Sequence, residues 1–430
     1  MLTGKWLTPG RFLVLGYLAV ILLGAALLLL PFSAWPGSDV SVVDAFFTST
    51  SAVCVTGLLV VDTADTFTPA GQAIIAILIQ IGGLGISCIG VTFILLSGKS
   101  VGLRQRLLVK ESFNLGTLKG IVRLVRTIVI ITLVFELAGA ALSYVSFSRH
   151  YPPLRALGVS VFHSIASFNN AGFDILGGFR SLTGFREDIL LNLTTCVLII
   201  FGGLGFYVMH DMLQVRSLKK LSMNSKIVLM MSSVLLAIGT LALKATENIT
   251  WLGAFFQSTS ARTAGFCTYA LGSFSSTGQF ILILLMFVGA SPGSTGGGIK
   301  TTTLFTLIKA IFATSTNRNC TAFRRRIAQE SISKAYAIVM LALSVVLLNV
   351  LIIGKLEPQA TFLQVLFEVV SAFGTVGLTT GITQDLTVIS KWLLCILMFI
   401  GRLGPLTVAC IWHYQPSNNL TYAEEKVTIG

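Results

Sequence analysis

Four short segments of the chain place a glycine in the same context, and the backbone oxygens beside such glycines could coordinate a cation. A dehydrated alkali cation needs oxygens in place of its water shell, and rings of backbone carbonyls supply them. Glycine adopts the dihedral angles that turn neighbouring carbonyls to one side at little energetic cost. A single such glycine is equally consistent with helix packing, but four in register favour an ion filter. The candidate filter residues are Val55, Thr56, Gly57, Asn170, Ala171, Gly172, Thr263, Ala264, Gly265, Thr375, Val376 and Gly377.

The four segments mark an internal repeat, and a repeat determines the architecture before any single element is assigned. Each segment lies between two apolar runs of about 20 residues, long enough to cross a bilayer core of about 30 Å. The eight runs are 11–31, 70–96, 121–147, 189–213, 226–246, 279–311, 334–354 and 389–413. We therefore predict an all-α polytopic membrane protein in which four parallel repeats of helix, pore loop and helix surround a central pore with pseudo-fourfold symmetry. The predicted repeats are 1–98, 99–220, 221–322 and 323–413, with an intramembrane loop at 289–303 and a cytoplasmic tail at 414–430.

The composition agrees with a membrane protein and argues against a nucleic-acid partner. Hydrophobic residues make up 54% of the 430 residues and charged residues 11%, whereas soluble domains carry about 25% charged residues. The net charge of +13 comes largely from short basic tracts between the repeats, while acidic residues gather in the loops on the other side. By the positive-inside rule, both termini and the links between repeats are cytoplasmic, and the glycine segments enter from outside. The seven cysteines show neither CxxC nor CxxH spacing, so we expect no metal centre and no disulfide framework.

The sixth apolar run is interrupted by a segment rich in glycine and hydroxyl residues. Such a segment cannot continue a lipid-facing helix, because irregular backbone at membrane depth must lie within protein or beside a water-filled cavity. Its position beneath the third filter segment predicts a flexible gate, in which glycines act as hinges and hydroxyl groups hold the closed form. The alternative is a passive helix break. The candidate gate residues are Gly289, Ser291, Pro292, Gly293, Ser294, Thr295, Gly296, Gly297, Gly298, Lys300 and Arg402.

Arg402 is assigned to the gate because it lies in the middle of the last apolar run. An isolated charge at the centre of a membrane costs at least about 2.5–3.5 kcal/mol, so the side chain must face a polar cavity. There it would raise a barrier to cations and help to hold the gate; the alternative is an ion pair with Glu136, inside another helix. Arg262, His163 and Glu368 adjoin the filter segments and are predicted to support them.

These features resemble the Trk/Ktr/HKT superfamily of potassium transporters, and most closely its KtrB-type membrane subunit. The resemblance covers essentially the whole chain and rests on the four filter segments, residues 289–303, Gly401-Arg402-Leu403-Gly404-Pro405 and the ending 424–430. It implies potassium uptake across the bacterial inner (plasma) membrane by a homodimer with one pore per protomer. It further implies a cytoplasmic ring of nucleotide-binding, KtrA-type regulatory subunits, so that the partner holds the nucleotide and this chain carries no cofactor of its own.

Two transport mechanisms fit these residues, and an enzyme does not. The first is a gated potassium pore; the second is an ion-coupled carrier in which sodium activates potassium uptake. The single filter glycine per repeat, in place of the fuller TVGYG pattern, leaves selectivity among potassium, rubidium and sodium open. An intramembrane enzyme is disfavoured because the sequence has no HExxH motif and because catalysis needs unlike residues that converge once. The basic segments 104–119 and 324–326 are predicted regulator contacts, and the tail 414–430 is a predicted contact between protomers.

Overall fold

The computed structural model describes residues 9–113, 118–215 and 217–410. Both chain ends, the tail 414–430 with its ending 424–430, and part of the basic segment 104–119 lie outside the described residues. The predictions made for those parts therefore remain predictions from sequence. Within the described residues, each of the four repeats has a long first helix, a short pore helix and a second helix that is broken.

The first helix of each repeat is long and apolar, and most of its surface is not covered by the rest of the protein. The mean hydropathy of these helices lies between 2.1 and 2.8, and only 22–33% of their most apolar stretch is buried inside the protein. Each is long enough to cross a bilayer core, and an exposed apolar surface of this extent requires lipid around it. The first helices are α1 (Pro9–Leu28), α7 (Ile121–Phe147), α11 (Met223–Thr246) and α15 (Gln329–Leu356).

The pore helix of each repeat is short, and each ends just before the candidate filter residues. Polar caps begin three of them: the hydroxyl of Ser41 accepts a hydrogen bond from the Asp44 amide, and Thr250 and Thr361 act in the same way. The second pore helix carries a proline in its first turn, where the missing N–H has no helical partner to lose. Such caps stabilise helices that are too short to be stable alone. The pore helices are α2 (Val42–Val53), α8 (Pro153–Phe168), α12 (Trp251–Ser260) and α16 (Phe362–Gly374).

The second helix of each repeat is broken: the third repeat has the interruption expected within 279–311, whereas one continuous span is wrong for 70–96, 189–213 and 389–413. In the first two repeats the segments on either side of the break meet at 99° and 92°. The residue at the break is Gly85, Gly205 or, in the fourth repeat, Gly404, with φ of +81°, +92° and +89°. An α-helix cannot continue through such dihedrals. The segments before the break are α4 (Pro69–Leu84), α9 (Ile189–Leu204), α13 (Ser276–Phe287) and α17 (Val388–Leu403); those after it are α5 (Ile86–Leu96), α10 (Phe206–Val215), α14 (Thr301–Ser315) and α18 (Pro405–Cys410).

The links between these elements are short. A single turn, α3 (Thr63–Thr66), follows the first filter segment, and α6 (Leu103–Ser112) joins the first repeat to the second. The link between the third and fourth repeats contains the one departure from an all-helical fold in the described residues, an antiparallel hairpin of β1 (Thr321–Ala322) and β2 (Arg325–Arg326). Phe323 and Arg324 form its turn with positive φ, as two-residue hairpin turns require. The described residues also contain three 3₁₀ turns, at Thr183–Phe185, Leu218–Lys220 and Leu271–Ser273.

A close helix contact recurs in three repeats and holds the pore helix against the first helix. In the first repeat the hydroxyl of Ser49 donates to the carbonyl of Ile21 at 2.7 Å, and a Cβ atom added to Gly24 would overlap that hydroxyl. Small residues let helix backbones approach closely within a membrane. The same serine–glycine pair appears at Ser164 and Gly139 and at Ser258 and Gly239.

Candidate ion pore

The four filter segments leave their pore helices through the same unusual backbone conformation. In each, the residue two positions before the glycine has a positive φ, which is uncommon for any residue other than glycine. Four such residues in register indicate a backbone constrained by a common role, because strained conformations persist only where the surroundings hold them. These φ angles are 58° at Val55, 58° at Asn170, 75° at Thr263 and 49° at Thr375. The glycines that follow have φ of 91° at Gly57, 68° at Gly172, 81° at Gly265 and 89° at Gly377.

The four glycines form a closed ring. A Cβ atom added to any one of them would come within 3.0 Å of the carbonyl oxygen just before the glycine of the next repeat. The order of contacts runs from the first repeat to the second, third and fourth and then back to the first, so the four repeats surround one axis. Only glycine fits, because a side chain would displace a neighbouring carbonyl. The contacting pairs are Gly57 with Ala171, Gly172 with Ala264, Gly265 with Val376, and Gly377 with Thr56.

The amides of the filter segments point back into the pore helices, which leaves the carbonyls available. Thr56 N donates to Ser51 O at 2.8 Å, and Gly57 N donates to the Ser51 hydroxyl at 3.0 Å. Gly377 N donates to the Ser371 hydroxyl at 3.1 Å. Among the described residues, no hydrogen bond is accepted by a carbonyl of the twelve candidate filter residues. Such carbonyls can replace the hydration shell of a cation, and the negative C-terminal ends of the pore helices add to the attraction.

The three residues predicted to support the filter contact the elements around the ring. Glu368 accepts hydrogen bonds from the hydroxyls of Thr379 and Thr383, and so ties α16 to the loop beyond the fourth filter segment. His163 Nε2 lies 2.9 Å from the Thr195 hydroxyl on α9. Arg262 donates to the carbonyl and the hydroxyl of Ser232 on α11, at 3.3 and 3.1 Å. Each of these side chains therefore links a pore helix or filter segment to a neighbouring element.

On one side of the ring lies a cavity of about 520 Å³, whose lining includes all four filter glycines. By the predicted topology this is the extracellular side. Asp174 and Arg180 also line the cavity. Burial raises the pKa of Asp174 to about 7 despite a hydrogen bond from the Leu176 amide, and the nearby carboxylates of Asp62 and Asp65 raise it further. The ring is therefore open to water on this side, through a mouth that contains charged side chains.

On the other side of the ring, the third repeat places an intramembrane loop, residues 288–300, between α13 and α14. The predicted loop 289–303 is thus shorter at its end, because the helix resumes at Thr301. The loop touches neighbours on two sides: Phe206 N donates to Gly293 O at 2.9 Å, and Gly298 N donates to Gly401 O at 3.3 Å. Directly at the filter, Gly297 N donates to the Thr375 hydroxyl at 2.8 Å. The loop therefore contacts the fourth filter segment and the second helices of the second and fourth repeats.

Side chains within the intramembrane loop hold its shape. Lys300 Nζ donates to the carbonyls of Gly296 and Gly297 at 2.6 and 3.3 Å. The Ser291 hydroxyl lies 3.0 Å from that of Thr301, and Ser294 donates to the Ser291 carbonyl at 2.6 Å. Two of the predicted hydroxyl residues, Ser291 and Ser294, therefore form hydrogen bonds within this region. The remaining gate candidates, Gly289, Pro292, Gly293, Thr295, Gly296 and Gly298, lie in the same loop.

Arg402 joins the intramembrane loop to the opposite side of the pore. One guanidinium nitrogen donates to the Thr295 carbonyl, and the other donates to the carbonyls of Gly82 and Gly83 at the end of α4. The described residues contain no ion pair between Arg402 and Glu136, whose carboxylate accepts instead from the Asn169 amide at 3.0 Å. The ion-pair alternative is therefore wrong. The arginine faces the polar interior and is held by backbone oxygens.

The sequence interpretation missed the glycines at the helix breaks. Gly85, Gly205 and Gly404 end the segments before the break, and the residues two positions earlier include Gly83, Gly203 and Arg402. The signal was present as a repeated pattern, GGLG at 82–85 and 202–205 and GRLG at 401–404. Arg402 thus occupies a position that is glycine in the first two repeats. Alignment of the second apolar runs as well as the filter segments would have revealed it.

Known proteins share this sequence and architecture. The family of cation transport proteins called TrkH matches residues 18–252 and 217–421 of the chain. The Ktr system potassium uptake protein B of Bacillus subtilis is 38% identical, covering 99% of this chain and 98% of that protein. The potassium/sodium uptake protein NtpJ of Enterococcus hirae is 37% identical, again over 99% of this chain and 98% of the relative.

A solved structure has the same fold. The crystal structure of the potassium transporter TrkH from Vibrio parahaemolyticus superposes with a TM-score of 0.75 and 20% sequence identity, covering 95% of this chain and 86% of that one. The family resemblance and the polytopic helical fold inferred from the sequence are thereby confirmed. The chain belongs to the TrkH family of cation transport proteins.

Proposed function

We propose that this chain is the membrane subunit of a potassium uptake system, in which potassium crosses the plasma membrane through the ring of filter carbonyls. The observation that carries the proposal is the closed ring itself, in which each filter glycine packs against a carbonyl of the next repeat. That arrangement surrounds one axis with oxygens from all four repeats. The names of the relatives support potassium as the ion, since those of Bacillus subtilis and Vibrio alginolyticus are potassium uptake proteins.

The intramembrane loop and Arg402 form the proposed gate. The contact of Gly297 with Thr375 in the fourth filter segment supports a loop that blocks potassium in the closed form and moves when the pore opens. Its contacts are hydrogen bonds to the backbone of α9 and α17 and to the Arg402 guanidinium. The positive charge of Arg402 adds an electrostatic barrier in the closed form, because cations repel each other strongly where water is scarce.

Control of this gate is assigned to a separate cytoplasmic subunit that binds a nucleotide. The Bacillus and Vibrio alginolyticus relatives are named as protein B of a Ktr system, which supports a system of more than one component. We further propose that the chain works as a homodimer, with its termini in the cytoplasm. The hairpin that carries Arg325 and Arg326 is a candidate contact for the regulator, because its arginines are exposed.

Potassium uptake by bacterial cells that lack their own uptake systems tests the proposal. Cells would express this chain with or without a KtrA-type nucleotide-binding subunit, and membrane insertion would be measured by immunoblot. We expect growth at low potassium and rapid uptake only when both are present. Absence of uptake by the inserted pair would overturn the proposed function.

A sodium-coupled carrier is the second candidate, and the potassium/sodium uptake protein of Enterococcus hirae is the relative that favours it. The two candidates differ in what sets the reversal potential of the current in proteoliposomes. For a pore, the reversal potential follows the potassium gradient alone. For a coupled carrier, it shifts when the sodium gradient is changed at constant potassium. We expect the first result, since the ring offers one continuous path.

A further inference from the structure

The carboxylate of Asp174 lies immediately beyond the filter ring, on the side from which an ion would enter. Asp174 is two residues after Gly172 and lines the outer cavity together with the four filter glycines. The equivalent positions in the other repeats are Leu59, Cys267 and Thr379, which line the same cavity. The mouth of the filter therefore has a single acidic side chain at this level, contributed by the second repeat.

One oxygen of the Asp174 carboxylate accepts a hydrogen bond from the protein, and the other accepts none. Its Oδ1 accepts a hydrogen bond from the Leu176 amide at 3.0 Å. Its Oδ2 accepts no hydrogen bond from the described residues, although the residue is only 8% exposed. Oδ2 is not a buried atom, because Asp174 lines the cavity, so water or a cation in the cavity can reach this oxygen. The free oxygen borders the cavity that leads to the ring.

The other acidic groups near this mouth are already engaged by the protein. Asp62 Oδ2 accepts from the Phe179 amide at 2.7 Å, and Asp65 Oδ2 accepts from the Gly178 amide at 2.9 Å. These bonds fasten the loop after Asp174 to the first repeat, and neither Asp62 nor Asp65 lines the cavity, so both carboxylates add negative potential from outside it. Arg180, in the same loop, lines the cavity as the opposing charge.

We infer that Asp174 forms a binding site for a monovalent cation on the outer side of the filter, which loads the ring with the transported ion. The inference rests on the proposed function, since the cation it binds is the one that permeates. A carboxylate attracts a partly hydrated cation without stripping its water completely, whereas the ring beneath supplies the carbonyls that replace the remaining water. The site therefore raises the local potassium concentration at the entrance.

The expected consequence is a change in the apparent affinity of uptake with little change in its maximal rate. A unit charge about 4 Å from a cation in water alters binding about fivefold. Asp174→Asn keeps the size of the side chain and its acceptor for the Leu176 amide but removes the charge. We expect its KM for potassium to rise about fivefold, and Asp174→Glu to restore most of the affinity.

Asp385→Asn is the matched control, because Asp385 is an exposed acid of the loop beyond the fourth filter segment and does not line the cavity. It removes the same charge from the same side of the protein. Uptake kinetics would be measured over a range of external potassium, with the inserted amount of each variant determined by immunoblot. A KM of Asp174→Asn equal to that of the control would overturn the inferred site.

The controls also separate this inference from the proposed function. Loss of potassium uptake by the unchanged chain with its partner contradicts the proposed function, whereas normal uptake with an unchanged KM in Asp174→Asn contradicts only the outer site. If Asp174→Asn does not insert, Asp174→Ser removes the charge with a smaller side chain. A raised KM in that variant supports the site, and a normal KM overturns it.

Discussion

The four repeats are alike in the filter ring but differ in the layer beneath it, which consists of the breaks in their second helices. In the ring, every repeat has the same positive φ two residues before the glycine and the same glycine-to-carbonyl contact with its neighbour. In the layer beneath, three repeats break their second helix at one glycine, while the third repeat opens into the intramembrane loop. Position 402 carries an arginine where the first two repeats carry Gly83 and Gly203.

The difference follows from what each layer has to do. An ion on an axis is held by oxygens from all sides at once, so each repeat is under the same geometric constraint. A gate needs one obstacle that moves and a frame that does not, so one repeat can diverge while the others keep their shape. Symmetry in the ring and asymmetry beneath it are therefore both expected of a gated pore.

The largest predicted change is a loss of potassium selectivity when a side chain is introduced into the ring. In Gly377→Ser, the new Cβ atom would overlap the Thr56 carbonyl at a position where φ is +89°. Strain of this kind costs about 1–3 kcal/mol, and each 1.4 kcal/mol corresponds to about tenfold in binding. We expect potassium preference over sodium to fall about 10- to 100-fold, measured as competing rubidium and sodium uptake.

Gly354→Ser provides the control for that substitution, since Gly354 lies on the exposed face of α15 and a Cβ atom there meets nothing within 4 Å. Selectivity of this variant should equal that of the unchanged chain. If Gly377→Ser inserts normally and keeps its potassium preference, the glycine serves packing, and the ring is not the filter.

In the layer beneath the ring, a substitution of Arg402 is expected to increase potassium uptake, and this effect is smaller than the loss of selectivity predicted for Gly377→Ser. Arg402→Gln removes the guanidinium that links the Thr295 carbonyl to Gly82 and Gly83. Hydrogen bonds to charged groups contribute about 1.5–3 kcal/mol each, so the closed form loses at least one such contribution. Potassium uptake without the regulatory subunit should rise about tenfold, with selectivity unchanged.

Arg318→Gln, which removes an exposed arginine of the link after α14, is the control. Unchanged basal uptake in Arg402→Gln would favour the passive helix break.

The ring could be predicted from the sequence because its signal is repeated. Four glycines in the same context specify the number of repeats, and the structure brings these glycines together with the residue before each of them. The closing contacts between neighbouring repeats could not be predicted, because backbone oxygens have no sequence signature. The same reason hides the partners of Arg402: the sequence places the charge in a polar interior but not against the carbonyls of another repeat.

The helix breaks were missed for a different physical reason. A glycine within an apolar run costs a helix only about 1 kcal/mol, so Gly85, Gly205 and Gly404 are compatible with continuous spans. What breaks the helix is their φ near +90°, which an apolar pattern does not reveal. The hairpin at 321–326 was missed because its strands are two residues long, too short for an alternating pattern to be recognised.

The smallest predicted effect compares two of these breaks directly. Gly205 and Gly404 share almost the same backbone, with φ and ψ of 92° and 136° against 89° and 135°, so Gly205→Ala and Gly404→Ala carry equal strain. Only the first disturbs the intramembrane loop: its Cβ would lie 2.6 Å from the Pro292 carbonyl, whereas at Gly404 the nearest atom is 3.9 Å away. Loss of the neighbouring bond from Phe206 N to Gly293 O weakens the closed form by about 1 kcal/mol. Basal potassium uptake should therefore be about fivefold higher in Gly205→Ala than in Gly404→Ala, and equal uptake by the two would show that the second repeat does not restrain the loop.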